Sequence, residues 1–336
     1  MTTKGLTWTI DDADHMTQAE LYGEVLTRLG EENKKIVALT ADLAGSTKIG
    51  RFQKTHPDRF YNVGIAETNM FGIASGLAAT GLIPVCSTFA VFTALRGAEH
   101  VRTDICYQKR NVKIIATHSG TSFGQAGTTH HCTEDLGVMR LFPGMTVIAP
   151  ADAYETAKAA IASIEHVGPV YIRIGRSFEP PLHKSLDFDF EIGKAIQIHE
   201  GTDVTVIAAG RPTVGALEAA EIAKKNGVSV RVLDMHTIKP IDEEAILKAV
   251  MDTRRIVTVE DHNVIGGLGS AVSEVITKHG KACAMRRLGL QDEFSIVGYP
   301  DDLLHVYKMD ADGILEAIQE LLRVEVEQDD DWEDET

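Results

Sequence analysis

Short apolar runs alternate with helix-length segments along most of this chain. Six runs in the first half predict buried strands, at residues 36–40, 60–65, 83–87, 112–117, 146–149 and 170–174. The segments between them predict helices over residues 17–29, 68–80, 92–107 and 153–164. Nearly continuous hydrophobic strands are typical of sheets that are covered on both faces. The alternation therefore predicts a doubly wound, mainly parallel α/β domain.

The proline-containing stretch at residues 177–183 interrupts this pattern and predicts a linker. A second series follows, with strands at 204–208, 228–233, 256–259 and 284–288 and helices at 213–226, 242–250 and 268–279. We predict two α/β domains, at residues 15–180 and 190–325, each a mainly parallel sheet flanked by helices. A chain of 336 residues is long enough for two such domains.

The net charge and the cysteines of the chain indicate which binding partners and which cellular compartment to expect. Residues 325–336 hold eight acidic residues and no basic one, which is half of the net charge of −16. We expect a disordered acidic tail at 326–336, and the overall charge argues against nucleic-acid binding. The four cysteines form no CxxC pair, which favours a reducing, cytoplasmic setting over a disulfide framework. No signal peptide is recognisable and no apolar run reaches the roughly 18 residues that span a membrane, so we expect no membrane association.

Candidate site residues follow the predicted strands, because open parallel sheets bind ligands beyond the carboxyl ends of their strands. Glu67 is the most informative, since it opens a helix rich in small residues. A buried carboxylate there must be paired, protonated or catalytic, although an acid in the first turn of a helix also has a purely structural explanation. The other candidates share this position at strand ends or in the loop after the fourth strand: Asp42, Ser46, Phe89, Phe92, His118, Ser119, His130 and Arg176.

An acid, two aromatic rings, imidazoles and a guanidinium on one rim favour a ligand site over a set of unrelated surface residues. The aromatic pair suits a flat heterocycle, the carboxylate a ring nitrogen, and the arginine and histidines a phosphate or polyol. The 13 histidines show no HExxH or similar spacing, so no metal site formed by this chain alone is predicted. The glycines around residue 267 lack the full G-x-G-x-x-G pattern, which disfavours dinucleotide binding.

Several of these segments resemble a known family. Residues 61–70, 87–92, 116–118 and 127–130 are similar to the pyrimidine-binding domain of transketolases. Residues 231–240 and 260–269 resemble the transketolase C-terminal domain, a signature shared with the β subunits of 2-oxo-acid dehydrogenases. The resemblance covers about residues 15–325. It implies transfer of a two-carbon ketol unit from a ketose to an aldose with thiamine diphosphate and Mg²⁺.

Transketolases bind the diphosphate and Mg²⁺ on a separate domain with a Gly-Asp-Gly motif, which does not occur in this sequence. The resemblance therefore implies the C-terminal subunit of a split transketolase. An N-terminal partner subunit would supply the diphosphate and Mg²⁺ contacts, in an α2β2 assembly that acts on sugars. Two alternatives stay open: a β subunit of a 2-oxo-acid dehydrogenase, and a non-catalytic scaffold. The pair Thr129-His130 disfavours the first, and intact Glu67, Phe92 and His130 disfavour the second.

For the cofactor, the resemblance implies roles for four residues. Glu67 matches the carboxylate that hydrogen-bonds the aminopyrimidine ring and so promotes deprotonation of the thiazolium. Phe89 and Phe92 match the aromatic residues packed around the pyrimidine, and Asp42 matches an acid near it.

For the substrate, the resemblance implies four more contacts. His130 matches the histidine that faces the reacting sugar hydroxyls, where it shuttles protons. His118, Ser46 and Arg176 match residues along the channel to the phosphate of the acceptor.

The chain departs from the family pattern at several positions. Ala126 stands where an acid usually contacts a sugar hydroxyl, and Met16 where an arginine contacts phosphate. Leu95 replaces a tyrosine of the cofactor wall. These losses favour a specialised ketose, branched, sulfonated or otherwise modified. For the additional His131 there are two expectations. It either makes a contact that compensates for these losses or, as is more common for a second histidine, it is simply exposed to solvent beside His130.

Overall fold

The computed structural model describes residue 10 and residues 13–326, so the acidic tail expected from residue 326 onwards lies almost entirely outside the described residues. The strands are β1 (Ile36–Thr40), β2 (Phe60–Asn62), β3 (Ile83–Phe89), β4 (Lys113–Thr117), β5 (Thr146–Ile148), β6 (Val170–Arg173), β7 (Ile196–His199), β8 (Val204–Ala209), β9 (Val230–Asp234), β10 (Thr237–Lys239), β11 (Arg255–Asn263) and β12 (Ala284–Leu290).

The strands form two sheets, as the alternation of apolar runs predicted. The first has seven strands in the order β10-β5-β6-β4-β3-β1-β2, and the second has five in the order β12-β11-β8-β9-β7. Every pairing is parallel except those of the two edge strands β10 and β7. The predicted fold class, two mainly parallel sheets flanked by helices, is thereby confirmed.

Helices cover both sheets. The α-helices are α1 (Gln18–Glu32), α2 (Gly50–Thr55), α3 (Glu67–Ala79), α4 (Ala98–His100), α5 (Asp135–Leu141), α6 (Ala153–Glu165), α7 (Pro212–Lys225), α8 (Glu243–Thr253), α9 (Leu268–Lys278), α10 (Pro300–Val306) and α11 (Ala311–Leu322). Side chains of Asp152, Asp242 and Asp310 cap three of them by accepting backbone N–H groups. Across the described residues, each helix is too short or too polar to cross a bilayer.

The helices α2, α5, α10 and α11 were not predicted from the sequence, and three further differences concern the predicted elements and the sheets. The strand expected at 60–65 ends at Asn62, because the Asn62 side chain accepts backbone N–H groups from Asp42 and Gly64 and turns the chain. The helix expected at 92–107 is interrupted by two π-helical segments, Phe92–Arg96 and Val101–Cys106, a distortion that is frequent at functional sites.

The third difference concerns the two short edge strands, which the sequence analysis did not predict. β10 follows β9 of the second sheet in the chain, yet it pairs with β5 of the first sheet. The stretch predicted as a linker belongs to a longer irregular connection between β6 and β7, residues 174–195, which we call the connecting segment. It packs closely, since its Glu179 is only 3% exposed.

The two sheets share one hydrophobic core. A single cluster of buried side chains includes Ile114 of the first sheet and Ile207 of the second, as well as Leu136 and Leu268 on helices from the two halves. Burial of such side chains contributes roughly 2 kcal/mol each. The relative position of the two sheets is therefore set by packing.

A polar junction reinforces this contact at the carboxyl end of β4. Asp261 of β11 accepts hydrogen bonds from the backbone N–H of Thr121, at 3.0 Å, and from its hydroxyl, at 2.9 Å. The side chain fits only because residue 120 is glycine, since a Cβ there would lie 2.1 Å from an Asp261 carboxylate oxygen. The second domain thus holds the loop that follows β4.

This junction predicts a stability effect. Asp261→Ala should lower the free energy of unfolding by about 3 kcal/mol, because it leaves a buried N–H and a buried hydroxyl without their acceptor. Asp261→Asn keeps one acceptor oxygen and should lose about half as much. Urea denaturation followed by circular dichroism measures both. The exposed Asp292→Ala serves as control, with a change within about 0.5 kcal/mol; equal losses in both Ala variants would refute the role of the junction.

Candidate active site

The site lies at the carboxyl edge of the first sheet. Strands β6, β4, β3, β1 and β2 are consecutive neighbours there, so the loops that follow them are adjacent in space. Arg176, His118, Phe89 and Ser46 lie at or just beyond the ends of four of these strands. Glu67 is the first residue of α3, which follows the fifth. The sheet order alone therefore explains why residues far apart in sequence converge.

Five rings form a continuous surface, which we call the aromatic wall: Phe89, Phe92, His118, Phe123 and His130. Phe89 lies at its centre, stacked on His118 with ring centroids 3.9 Å apart and on Phe92 at 5.6 Å. His130 contacts Phe92 edge-on at 5.8 Å, and Phe123 contacts His118 edge-on at 4.6 Å. Such a wall presents flat apolar faces together with two imidazoles.

Glu67 lies at one end of the aromatic wall and is 2% exposed. One nitrogen of Arg96, Nη1, donates to both carboxylate oxygens at 2.9 Å. The Arg96 guanidinium also lies over the Phe92 ring, 4.3 Å from its centroid. The buried carboxylate is thus paired with a cation, and lone pairs remain on its oxygens for a further donor. Arg96 itself is half exposed.

A cavity of about 400 Å³ opens beside the other end of the wall. It is lined by Thr17, Ala19, Glu20, Gly45, Ser46, Lys48, Phe89, His118, Phe123 and Arg176. The Arg176 guanidinium lies over the Phe123 ring at 4.8 Å from its centroid. Its planar cationic fork is suited to a carboxylate, phosphate or sulfonate group.

A second cation reaches the same cavity. Lys48 donates to Glu20 at 3.1 Å, and Thr17 donates to the other oxygen of Glu20 through its N–H and its hydroxyl. These hydrogen bonds, the Thr17 backbone first, outweigh burial and lower the pKa of Glu20. Met16, which stands in place of an expected arginine, packs against a hydrophobic cluster of the first domain.

His118 is buried and its imidazole is neutral near pH 7. Burial lowers its pKa to about 3, and the positive charge of Arg176 and the proximity of His130 act in the same direction. Its Nδ1 lies 2.8 Å from the hydroxyl of Thr117. The residue adopts a left-handed backbone conformation, with φ of 61°. The fold therefore keeps a strained position in order to hold this ring on the wall.

The loop that follows β4, residues 118–134, is called here the substrate loop. Its His130 is partly exposed on the aromatic wall, with Nδ1 2.9 Å from the Thr129 hydroxyl. His131 is buried instead: its Nε2 donates to the carbonyl of Gly124 and its Nδ1 contacts the hydroxyl of Ser295. The expectation of a solvated neighbour is wrong for His131, because Nε2 is used within the loop and Nδ1 joins the loop to the second domain.

Asp42 and Leu95 lie at the periphery. Asp42 is exposed, and it exchanges two hydrogen bonds with Asn62: its backbone N–H donates to Oδ1, and its carboxylate accepts from Nδ2. Leu95 is 55% exposed next to Arg96. The cofactor role of Asp42 stays a prediction, as do the roles of the other site residues.

Sequence reasoning missed three residues of this site. Arg96 lies four positions after Phe92 on the same helical stretch, a spacing that places side chains on one face and could have revealed it. Phe123 and Lys48 lie in irregular loops, where spacing carries no such information. Their contacts depend on how the loops fold back over the sheet.

Comparison with known families identifies both halves of the chain. The transketolase pyrimidine-binding domain matches residues 14–179, and the transketolase C-terminal domain matches residues 193–314. Together they cover most of the chain, in the order that the sequence motifs indicated.

Individual relatives match over nearly their whole length. The putative transketolase C-terminal section of Methanocaldococcus jannaschii is 44% identical over 305 residues, 90% of this chain and 96% of that protein. An apulose-4-phosphate transketolase subunit of Phocaeicola vulgatus is 39% identical over 303 residues, 90% of this chain and 96% of that protein. A 6-deoxy-6-sulfo-D-fructose transketolase subunit of Clostridium sp. (strain MSTE9) is 39% identical over 304 residues, covering 90% and 93%.

A solved structure agrees with these matches. A split gene transketolase, described as an inactive β4 tetramer, superposes with a TM-score of 0.83 at 45% identity. The match covers 91% of this chain and 98% of that one. These three relatives are named as transketolase sections or subunits, which disfavours the dehydrogenase and scaffold alternatives. This chain therefore belongs to the transketolase family, as a member that carries the pyrimidine-binding and C-terminal domains.

Proposed function

We propose that this chain is the C-terminal subunit of a split transketolase, which transfers a two-carbon ketol unit from a ketose to an aldose. One observation carries the proposal: a buried carboxylate, Glu67, and an anion-binding guanidinium, Arg176, lie at opposite ends of one aromatic wall. We assign the pyrimidine-binding domain to residues 15–180 and the C-terminal domain to residues 190–325.

The residues at the Glu67 end fit the heterocycle of thiamine diphosphate. Phe89 and Phe92 offer stacked faces to a flat ring, and Glu67 keeps free lone pairs for a ring N–H donor. When bound, this cofactor supplies the carbon nucleophile and the electron sink for cleavage of the ketose. Asp42, at the end of β1, is the additional acid on the cofactor side.

The positive charge of Arg96 balances the negative charge of Glu67. Removing a carboxylate from water costs several kcal/mol unless a cation or donors compensate, and the two 2.9 Å contacts from Arg96 do so. Glu67, paired in this way, would accept a hydrogen bond from the heterocyclic ring of the bound cofactor.

The two histidines have different tasks. His118, being neutral, hydrogen-bonds sugar hydroxyls and holds them in place without taking a proton. His130 is more exposed and lies edge-on to Phe92, so it is the group that exchanges protons with the reacting hydroxyls.

The cavity sets the substrate class. Arg176 lines the cavity together with Ser46 and Lys48, and its charge favours sugars that carry an anionic group far from the reacting carbonyl. Relatives named for apulose-4-phosphate and for 6-deoxy-6-sulfo-D-fructose support a phosphate or sulfonate in this place. Ala126 and Met16 remain the positions that argue against the ordinary pentose phosphates.

A partner subunit completes the site in this proposal. The partner subunit binds the diphosphate and Mg²⁺, because the residues of this chain on the cofactor side bind only the heterocyclic end of the cofactor. The related split gene transketolase described as an inactive β4 tetramer supports the requirement for a second chain. We propose an α2β2 heterotetramer. The four free cysteines of this chain support a reducing, cytoplasmic setting.

The proposal is tested by co-expression of this chain with the product of the neighbouring open reading frame as the candidate N-terminal subunit. The purified pair, given thiamine diphosphate and Mg²⁺, should transfer two-carbon units from at least one member of a panel of phosphorylated and sulfonated ketoses. This chain alone should be inactive. Reduction of an artificial electron acceptor with pyruvate would instead identify a 2-oxo-acid dehydrogenase component.

Glu67→Gln should lower kcat of the reconstituted pair by at least about 100-fold, because the amide keeps the shape of the side chain but loses its charge. Steady-state kinetics with saturating cofactor measures the effect. The matched control is the exposed Glu218→Gln on α7, which should leave kcat unchanged. Full activity of Glu67→Gln would overturn the assigned role.

Arg176→Gln should raise the KM for an anionic acceptor by about 10- to 100-fold, since one charge-assisted pair is lost. The kcat with an uncharged acceptor aldose should change by less than about twofold. Arg51→Gln, an exposed arginine on α2, is the control and should leave both constants unchanged. Equal effects on charged and uncharged acceptors would place Arg176 outside the anion site.

His118 should stay neutral through the physiological range. In histidine-labelled protein, its ring resonances, assigned with His118→Gln, should not titrate between about pH 8 and pH 5. His305, whose hydrogen bond with Asp310 raises its pKa, is the internal control and should titrate above pH 6.5. A His118 midpoint near 6.5 would refute the neutral-donor role.

The lowered pKa of His118 also determines how the stability of the fold changes with pH. The unfolded chain protonates His118 below about pH 6.5, whereas the folded chain does not until about pH 3. Burial of the neutral ring therefore stabilises the fold fully above pH 6.5. This contribution falls as the pH drops from 6.5 towards 3.

A further inference from the structure

A second cluster of ionisable side chains lies outside the cavity, where the two domains meet the connecting segment. Glu155 belongs to the first turn of α6, Asp234 ends β9, and His183 lies on the connecting segment. Each of the three offers one ligand atom, and these atoms all lie within 4.8 Å of one another. Three parts of the chain, from both domains, thus direct potential ligands at one point.

Within the described part of the chain, no N–H or O–H group donates to these ligand atoms. Both carboxylate oxygens of Asp234, Oε1 of Glu155 and Nε2 of His183 are buried without such a donor, and the carboxyls of Glu155 and Asp234 lie close enough together to share a proton when no metal ion is bound. Glu155 and Asp234 are both fully excluded from solvent. Most buried polar atoms in folded proteins are hydrogen-bonded, so a convergent group of orphaned atoms requires a reason.

The charge of the cluster is also unbalanced. Burial raises the pKa of Asp234 to about 7 and that of Glu155 well above its ordinary value, and each carboxyl faces other acids. Asp152 lies beside them and is already used, since it accepts N–H groups from Glu155, Leu182 and His183. Two buried carboxylates without a cation must either carry protons or bind a metal ion.

We propose that Glu155, Asp234 and His183 form a binding site for one divalent transition-metal ion, with Zn²⁺ as the preferred ion. Two carboxylate groups and one imidazole are ligands that Zn²⁺ accepts, whereas Ca²⁺ and Mg²⁺ prefer oxygen ligands alone. The ion binds through Oε1 of Glu155, a carboxylate oxygen of Asp234 and Nε2 of His183.

The surroundings hold the ligands in place. The ring of His183 stacks on Phe188 at 3.7 Å with an interplanar angle of 4°, and its backbone N–H donates to Asp152 at 2.8 Å. Oε2 of Glu155 accepts from the N–H of Ala151 at 2.5 Å, which leaves Oε1 for the ion.

A metal ion here has a structural task. It joins α6 of the first domain, β9 of the second and the connecting segment, and none of its three ligands lines the substrate cavity. Structural metal sites contribute their binding free energy to folding. The site is distinct from the Mg²⁺ that the partner subunit holds in the proposed function, and it does not depend on that proposal.

An exposed cluster near the beginning of α11 provides a matched control for this site. His305, Asp310 and Asp312 also lie within metal-binding distance of one another, but they are largely exposed. There His305 Nδ1 is hydrogen-bonded to Asp310 at 2.6 Å, and Asp310 caps α11. Since those atoms are already used, His305→Ala should leave the metal content unchanged.

The test measures metal in the full-length chain, purified without its partner and without chelator from zinc-supplemented cells. Mass spectrometry of the elements should find about one Zn²⁺ per chain in the wild type and in His305→Ala. The double variant Glu155→Gln/Asp234→Asn should retain less than about one-tenth of that amount. Wild-type protein without bound Zn²⁺, both as purified and after titration with ZnCl₂, would overturn the proposal.

A measurement on the wild type alone guards against failure of the variant to fold. Removal of metal with a strong chelator should lower the melting temperature by about 5 °C or more, and ZnCl₂ should restore it. His183→Ala, which removes one ligand and no charge, should lose this response. A melting temperature that is insensitive to chelator would mean that the two carboxyls carry protons, and it would refute the site.

Discussion

One buried ion pair supports the arrangement on which the site depends. Nε of Arg173, in β6, donates to Asp135 at 2.9 Å, and both side chains are almost completely excluded from water. The same guanidinium donates to the carbonyl oxygens of Cys132 and Asp261. Because a buried charge is tolerated only with its partners, these contacts fix the strand, the end of the substrate loop and the second domain together.

The second domain supports the site through this network, although the rim residues come from the first. Asp261 binds the beginning of the substrate loop at Thr121, and Ser295 contacts His131 near its other end. Glu260 accepts the N–H groups of Leu268 and Gly269 and caps α9. The motif at 260–269 thus has a physical explanation: Asp261 positions the loop that presents His118 and His130, and Glu260 holds the beginning of α9.

The sequence indicated much of the site because the strands that carry it are parallel, so that their carboxyl ends lie at one edge of the sheet. Glu67, Phe89, His118 and Arg176 each lie close to a strand end, and the rule for parallel sheets placed them on one rim. The sequence did not reveal Arg96 as the partner of Glu67, because this ion pair depends on the π-helical backbone of residues 92–96. The burial of His131 likewise depends on a segment 164 residues further along the chain.

The amino-acid sequence by itself determined the two-sheet α/β fold, because the period and length of its apolar runs are local properties of the chain. It also determined the kinds of residue at the strand ends, and hence the family. Only the tertiary structure decided that β10 joins the sheet of the other domain and that Lys48 reaches the cavity. It also decided that Glu155, His183 and Asp234 meet. These contacts join segments that are distant in sequence. They depend on how the whole chain packs, and no single stretch of sequence predicts them.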